Sequence, residues 1–101
     1  MAETLWAVWS DDTPDAPRLR HDHLAAHLAY AETLIGKIAV GGPLRQGEEF
    51  LGSLIVLRVA SEGEARAILE ADPYYRAGVW TNTRIAPFRA VIGDWVGGKS
   101  W

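Results

Sequence analysis

The chain contains no cysteine. Disulfide frameworks and thiolate metal sites are therefore excluded. It also lacks an excess of positive charge, since Lys and Arg total 10 against 13 Asp and Glu, for a formal net charge of -3. Non-specific nucleic-acid binding needs a basic surface that displaces counterions, so this balance argues against it. No apolar run is long enough to span a bilayer, so no membrane partner is expected. The opening MAETLWAVWSDD has neither a basic n-region nor a long apolar stretch. No secretion signal is read there, and the cytoplasm is the expected compartment. Two catalytic signatures are missing as well. Ser53 is not framed as GxSxG, which leaves a nucleophile elbow unsupported. Gly41-Gly42-Pro43 lacks the spacing of a phosphate loop or dinucleotide fingerprint, and reads as a tight turn at a strand end.

What remains is a chain of 101 residues, 49% hydrophobic. That suits a single domain over 1–101, with a core at about 4–91 and a tail at 92–101. Residues 4–10, TLWAVWS, read as a strand with both faces apolar. The Pro- and Asp-rich 11–17 reads as a loop. Leu24, Leu28, Ala31 and Ile35 recur at helical spacing, predicting a helix over about 19–35 that stops at Gly36. A short strand follows at 37–40, then the GGP turn, then a turn through RQGEEF. Residues 50–60, FLGSLIVLRVA, carry the longest strand signal. Ser61 stands three residues before Glu64, a capping-box pattern that opens a second helix ending near Asp72. DPYYRAGVW reads as a compact turn, and 80–87 as the last clear strand. The final FRAVIGDWVGGKSW is expected to prolong that strand and then loosen.

The order is βαββαβ, the ferredoxin-like arrangement of an α+β domain with an antiparallel sheet. Its first and third strands are central, and both helices lie on one face. Both of those strands are apolar on both faces here, so one face is left uncovered. Exposed apolar area of that extent marks an interface, and a second copy packed sheet to sheet is expected. The competing reading folds the tail, with Trp95 and Trp101, over the same face.

Three histidines carry the chemistry. His23 and His27, at i and i+4, share a helix face and form two thirds of a metal site, but HLAAH lacks the glutamate of HExxH and a third ligand. His21 and His23 sit with Arg18, Arg20 and Asp22 in a polar first turn, read as solvated. His27 is embedded among Leu24, Leu28 and Ala31, and there faces either core or cleft. An imidazole in a cleft suits general acid–base catalysis. Its best carboxylate partner is Asp72, which the pattern places at a helix C-terminus, where negative charge is disfavoured. The plain alternative is that Asp72-Pro73 only opens a turn. Trp6, Trp9, Trp80 and Phe88 are candidates to line a pocket for a flat ligand, set against the commoner roles of core and interface.

The ordered set RHDHLAAHLAY (20–30), AVGGPL (39–44), GSLIVLRVAS (52–61), EAR (64–66), ADPYYRAGVW (71–80) and IAPFRAV (85–91) resembles the YCII-related (YciI-like) family. The resemblance implies a dimeric α+β barrel of ferredoxin-like protomers, with a His–Asp pair in each active site. By spacing back from Gly42-Pro43, the family histidine falls on His27, with His23 as runner-up. The aspartate of DPY is Asp72. Ser53 is implied as a third polar group, and Gly42, Pro43 and Tyr74 as further contacts to a small, cyclic or aromatic ligand. The implied reactions are lyase, isomerase or dehydrochlorinase steps that require no cofactor. A non-catalytic binding or sensor dimer is the alternative, and metal binding through His23 and His27 a more remote one. The tail GDWVGGKSW departs from the family's shorter ends.

Overall fold

The computed structural model describes residues 4–101. The expected domain also includes residues 1–3, which lie outside the described residues. Strands β1 (Leu5–Asp12), β2 (Ile38–Gln46), β3 (Glu49–Leu57) and β4 (Trp80–Phe88) form one antiparallel sheet in the order β2-β3-β1-β4. Helix α1 (Ala16–Glu32) joins β1 to β2, and helices α2 (Glu62–Glu70) and α3 (Pro73–Ala77) join β3 to β4. The arrangement is the expected ferredoxin-like one, with β1 and β3 central.

Several boundaries differ from the sequence reading, each for a local reason. Helix α1 starts at Ala16, inside the expected loop, because Pro17 sits in the first turn, where a backbone N–H has no intrahelical partner to lose. It ends at Glu32, not at Gly36. The Thr33 hydroxyl donates to the Tyr30 carbonyl at 2.6 Å, and a 3-10 turn over Ile35–Lys37 follows. Strand β2 does not stop at Val40. It runs through Gly41, Gly42 and Pro43 to Gln46, so GGP is strand and not a strand-end turn. An edge strand tolerates proline because one row of its N–H groups faces no neighbour. The RQGEEF turn does form, with Gly47 at φ 63. Strand β3 ends at Leu57, short of Ala60.

The capping box at α2 forms as read: the Ser61 hydroxyl accepts from the Glu64 amide at 3.2 Å. DPYYRAGVW is more than a turn. Pro73–Ala77 form α3, capped by Asp72 at its start and by left-handed Gly78 (φ 86) at its end. The tail neither prolongs β4 nor hangs loose. Its strands β5 (Ile92–Gly93) and β6 (Gly98–Lys99) pair in a small hairpin.

Strand register sorts the sheet into two faces. Pairings Ile85–Val8–Ile55–Gly41 and Pro87–Trp6–Leu57–Ile38 make rows on the helix side. There Val8, Leu57, Val59, Ala65 and Leu69 form the main buried cluster. Each large apolar side chain so buried contributes about 1.5–3 kcal/mol. Rows Arg84–Trp9–Leu54–Gly42 and Ala86–Ala7–Val56–Val40 lie on the other face, which no helix covers.

The two long helices use the sheet differently. Ala65 and Leu69 of α2 enter the core. Helix α1 packs chiefly on α3 and leaves a hollow between itself and the sheet. Its expected core stripe is largely exposed, with Leu24, Leu28 and Ile35 at 47%, 52% and 68% exposure. The sequence reading is corrected here, because the cavity side of α1 carries Arg20, His27 and Tyr30 beside Leu28 and Ala31, and no continuous apolar stripe packs on the sheet.

Candidate active site

The hollow is a cavity of about 300 Å³ between α1, α2 and the sheet. That volume suits a small molecule. Its floor is the helix side of the sheet, including Val8, Ile55 and Leu57, and α2 adds Ile68 and Leu69. Helix α1 contributes Arg20, His27 and Tyr30.

His27 and Asp72 meet at the cavity wall although 45 residues separate them. The imidazole Nδ1 lies 2.9 Å from Asp72 Oδ1 and 3.1 Å from Oδ2. An ionised carboxylate only accepts hydrogen bonds, so Nδ1 carries the proton and donates it. In the neutral ring Nε2 then keeps its lone pair, and it has no protein partner among the described residues. The imidazole is also fixed in plane. The Tyr74 ring stacks on it at 3.9 Å and 3°, and the Trp80 ring meets it edge-on at 6.2 Å and 82°.

The reason Asp72 is available is its place at the start of α3. Its carboxylate accepts from the Tyr74 amide at 2.8 Å, an N-cap bond that satisfies an orphan donor. The sequence reading put this carboxylate at the C-terminal end of α2, in an unfavourable dipole. One residue further on, the chain enters a new helix whose first turn welcomes it. The cap and the pair with His27 use one side chain, with side-chain exposures of 13% for Asp72 and 23% for His27.

Ser53, Gly42 and Pro43 line the same cavity, and thus gather with His27 and Asp72 as expected. Tyr74 does not line it. It is buried behind the imidazole, and its hydroxyl donates to the Arg20 carbonyl at 3.1 Å, tying α3 to α1. His23 is placed elsewhere, in a shallow surface depression with Ala71, Pro73 and Arg76. The two histidines therefore do not share a cavity. Among the described residues no three His, Asp or Glu side chains form a metal-ligating cluster.

The sequence reading missed Arg20, Ser10 and Tyr30. Arg20 is not in a solvated turn: it is 9% exposed and makes a bidentate pair with Asp12, Nε to Oδ2 at 2.8 Å and Nη2 to Oδ1 at 2.9 Å. Nη2 also donates to the Gly52 carbonyl at 3.2 Å. Ser10, 3% exposed, shares a 2.8 Å hydrogen bond with the Thr83 hydroxyl. A bulge in β4 helps bring Thr83 there: register slips between Trp9 and Asp11, and Asn82 adopts φ 51, a left-handed conformation that asparagine tolerates. Tyr30 donates its hydroxyl to the Ile68 carbonyl at 2.7 Å, bridging α1 to α2. Burial, and then the nearby Asp72 charge, push the Tyr30 phenol above its ordinary range. One signal was present in the sequence. Residues 20, 27 and 30 are spaced by seven and three, so Arg20, His27 and Tyr30 lie along one helix face.

An α+β ferredoxin-like protein with a hydrogen-bonded histidine–aspartate pair on the wall of a mostly apolar cavity is the class that fold and site define. The YCII-related domain model matches residues 4–89, and the chain belongs to that family. Protein YciI of Escherichia coli O6:H1 (strain CFT073) and Protein YciI of Shigella flexneri are each 29% identical over 97 residues, covering 87% of this chain and 99% of the relative. Among solved structures, this chain is similar to 5-chloro-2-hydroxyhydroquinone dehydrochlorinase (TftG) from Burkholderia phenoliruptrix AC1100, in complex with 2,5-dihydroxybenzoquinone. That match has 32% identity, a TM-score of 0.75, and covers 89% of this chain and 96% of the other. A protein of unknown function from Nitrosomonas europaea, NE2512, shares the fold at 15% identity and a TM-score of 0.52, covering 92% and 93% of the two chains.

Proposed function

We propose that this protein is a general acid–base enzyme for small hydroxylated cyclic or aromatic compounds, of the lyase, isomerase or dehydrochlorinase type. The observation that carries the reading is the 2.9 Å bond between His27 Nδ1 and Asp72, on the wall of a ligand-sized cavity. His27 Nε2 takes a proton from a ring hydroxyl and returns it to a ring carbon, giving the keto tautomer. Where that carbon bears a halide, loss of a second hydroxyl proton to Nε2 expels halide as the anion. Asp72 holds the imidazole in the useful tautomer and stabilises its charged form, as the carboxylate of a catalytic triad does. The reading requires no cofactor. The 32% identity to a dehydrochlorinase supports this reaction class.

The test is turnover of 5-chloro-2-hydroxyhydroquinone, read as chloride release, by wild type and Asp72→Asn. Asn places an amide where Nδ1–H needs an acceptor, so a fall in kcat of about 10²–10⁴-fold is expected. Equal rates would overturn the dyad. Binding without turnover of this or related hydroxylated rings would favour a sensor or accessory protein instead.

The same reading includes a homodimer formed through the open face of the sheet. Trp9, Val40, Leu54 and Phe88 lie there, with Leu54 at 41% and Phe88 at 42% exposure. The tail does not shelter its own tryptophans against that face: Trp95 and Trp101 are 84% and 70% exposed. Sedimentation should give a dimer for wild type and a monomer for Leu54→Arg. A monomeric wild type would remove the dimer from the proposal without touching the dyad.

A further inference from the structure

The C-terminal hairpin is ordered yet packs little on the rest of its chain. Strands β5 and β6 enclose a 3-10 turn over Asp94–Val96, and the Ser100 amide donates to the Val91 carbonyl at 2.9 Å. Gly97 and Gly98, at φ 78 and 113, supply the left-handed backbone that closes the hairpin. Its elements touch chiefly one another. Val91, Ile92, Trp95, Val96 and Trp101 are all exposed. Large apolar side chains gathered on an ordered, exposed element mark a contact surface. The family match ends at residue 89, so this hairpin lies outside it.

A matching recess lies on the first helix. Leu28, Ala31, Glu32, Ile35 and Ile38 line a shallow groove at the C-terminal end of α1. Leu28, Ala31 and Ile38 also line the cavity that holds His27. Groove and cavity therefore share a wall, and an occupant of the groove stands at the rim of the cavity. The charges are complementary too. The groove and the 3-10 turn after it carry Glu32 and Lys37, and the hairpin carries Lys99 and Asp94. The Lys99 ammonium lies over the Trp101 ring at 5.6 Å, so indole and cation are presented together to an acidic rim.

Topology points to a second copy as the source of the occupant. Phe88 pairs with Leu5, and the next row joins Pro87, Trp6, Leu57 and Ile38. The hairpin thus leaves β4 at the same end of the sheet as the groove. It leaves from the opposite edge, three strand spacings or about 14 Å away. Stacking two such sheets face to face about a two-fold axis along the strands sets β4 of one copy over β2 of the other, like ends together. Each hairpin then emerges beside the other copy's groove.

We propose that residues 91–101 are an exchange arm that crosses to the second copy, seats Trp95 and Trp101 in the groove of Leu28, Ile35 and Ile38, and so forms part of the rim of that copy's cavity. This rests on the sheet-to-sheet dimer proposed above and is independent of the dyad. Each cavity is complete only in the dimer.

The absence of cysteine makes the arm easy to trace. Two full-length variants, Gly36→Cys beside the groove and Ser100→Cys on the arm, are co-expressed and treated with a short bismaleimide. An added Cβ at Gly36 meets no atom within 4 Å, and Ser100 is exposed, so both variants should fold. Each chain then has one thiol, and every product joins two copies. Products that join position 36 to position 100 should dominate over those that join like positions. A wild type that sediments as a dimer, with no such mixed product from the variants, overturns the arm and leaves the dimer standing. A monomeric wild type overturns both and leaves the dyad untouched.

The rim is read at His27. Diethyl pyrocarbonate modifies accessible imidazoles, and the exposed His21 serves as the reference. Relative to His21, His27 should react about 10-fold faster in Trp95→Ser with Trp101→Ser than in wild type, as expected of an arm that is open in about 10% of molecules. Both tryptophans face solvent in the protomer, so these substitutions should leave its fold intact. The sheet interface lies on the far side of the sheet from His27, so loss of the dimer reaches that imidazole only through the arm. Leu54→Arg should therefore match the double variant. Equal His27 rates in wild type and double variant overturn the arm as part of the cavity.

Discussion

Helices α1 and α2 lie on the same side of one sheet and do opposite work. Helix α2 sends Ala65 and Leu69 into the core and opens with the Ser61 cap. Helix α1 has no side-chain cap, exposes Leu24 and Leu28, and turns Arg20, His27 and Tyr30 toward the cavity. Helix α2 is built to hold the sheet, and helix α1 is built to stand away from it. The lesson is that apolar periodicity locates a helix's core face only where the core is apolar. Where a helix stands off the sheet over a cavity, its hydrophobic stripe is free to stay largely exposed.

The contrast can be broken by substitutions on either side. The largest effect is expected on α1. His27→Ala should lower kcat by about 10³-fold with an unfolding midpoint close to wild type, checked by chloride release and urea denaturation. A collapse of stability with it would make His27 a core residue after all. Next is the core on the α2 side: Val59→Ala, at a site 5% exposed, should cost about 2 kcal/mol in urea unfolding and leave kcat within about 3-fold. A comparable loss of kcat would mean that the two regions are not separable.

Smaller effects sharpen the picture. Tyr30→Phe removes the hydroxyl that bridges to Ile68 and should cost about 1 kcal/mol. It should also flatten the alkaline side of the stability profile. A phenol raised in the folded state contributes stability that is intact below the unfolded value near 10 and is lost as pH rises through the higher folded value. Urea midpoints at pH 8 and 11 for wild type and variant test this, and parallel declines would count against it. Smallest is Leu24→Gln, expected within about 0.5 kcal/mol of wild type because Leu24 faces solvent. A loss of about 2 kcal/mol would restore the apolar stripe that the sequence pattern places in the core.

Legibility followed local chemistry. The strand order, the Ser61 capping box and the nearness of His27 to Asp72 were readable, because each rests on short patterns or on the family resemblance. The Asp12–Arg20 pair was not, since its partners look like a loop aspartate and one charge in a basic turn. Only the folded sheet brings Gly52 to Arg20, and only the bulge at Asn82 aligns Thr83 with Ser10. Asp72 shows the finer limit. Reading it as the end of one helix and not the start of the next reversed the electrostatic argument, although Asp72 does lie beside His27.

Gly52 has a consequence for redesign. A methyl group there would sit 2.1 Å from the Ser10 carbonyl oxygen, a distance no flexible side chain can relieve because both groups are backbone or fixed to it. An engineer adapting this cavity to new ligands can vary Ser53, Tyr30 or Ile68, since each presents only a side chain. Position 52 offers no such choice. It sets how closely the two central strands approach and supplies the carbonyl on which the guanidinium rests. Libraries that randomise it will sample broken sheets more than new specificities.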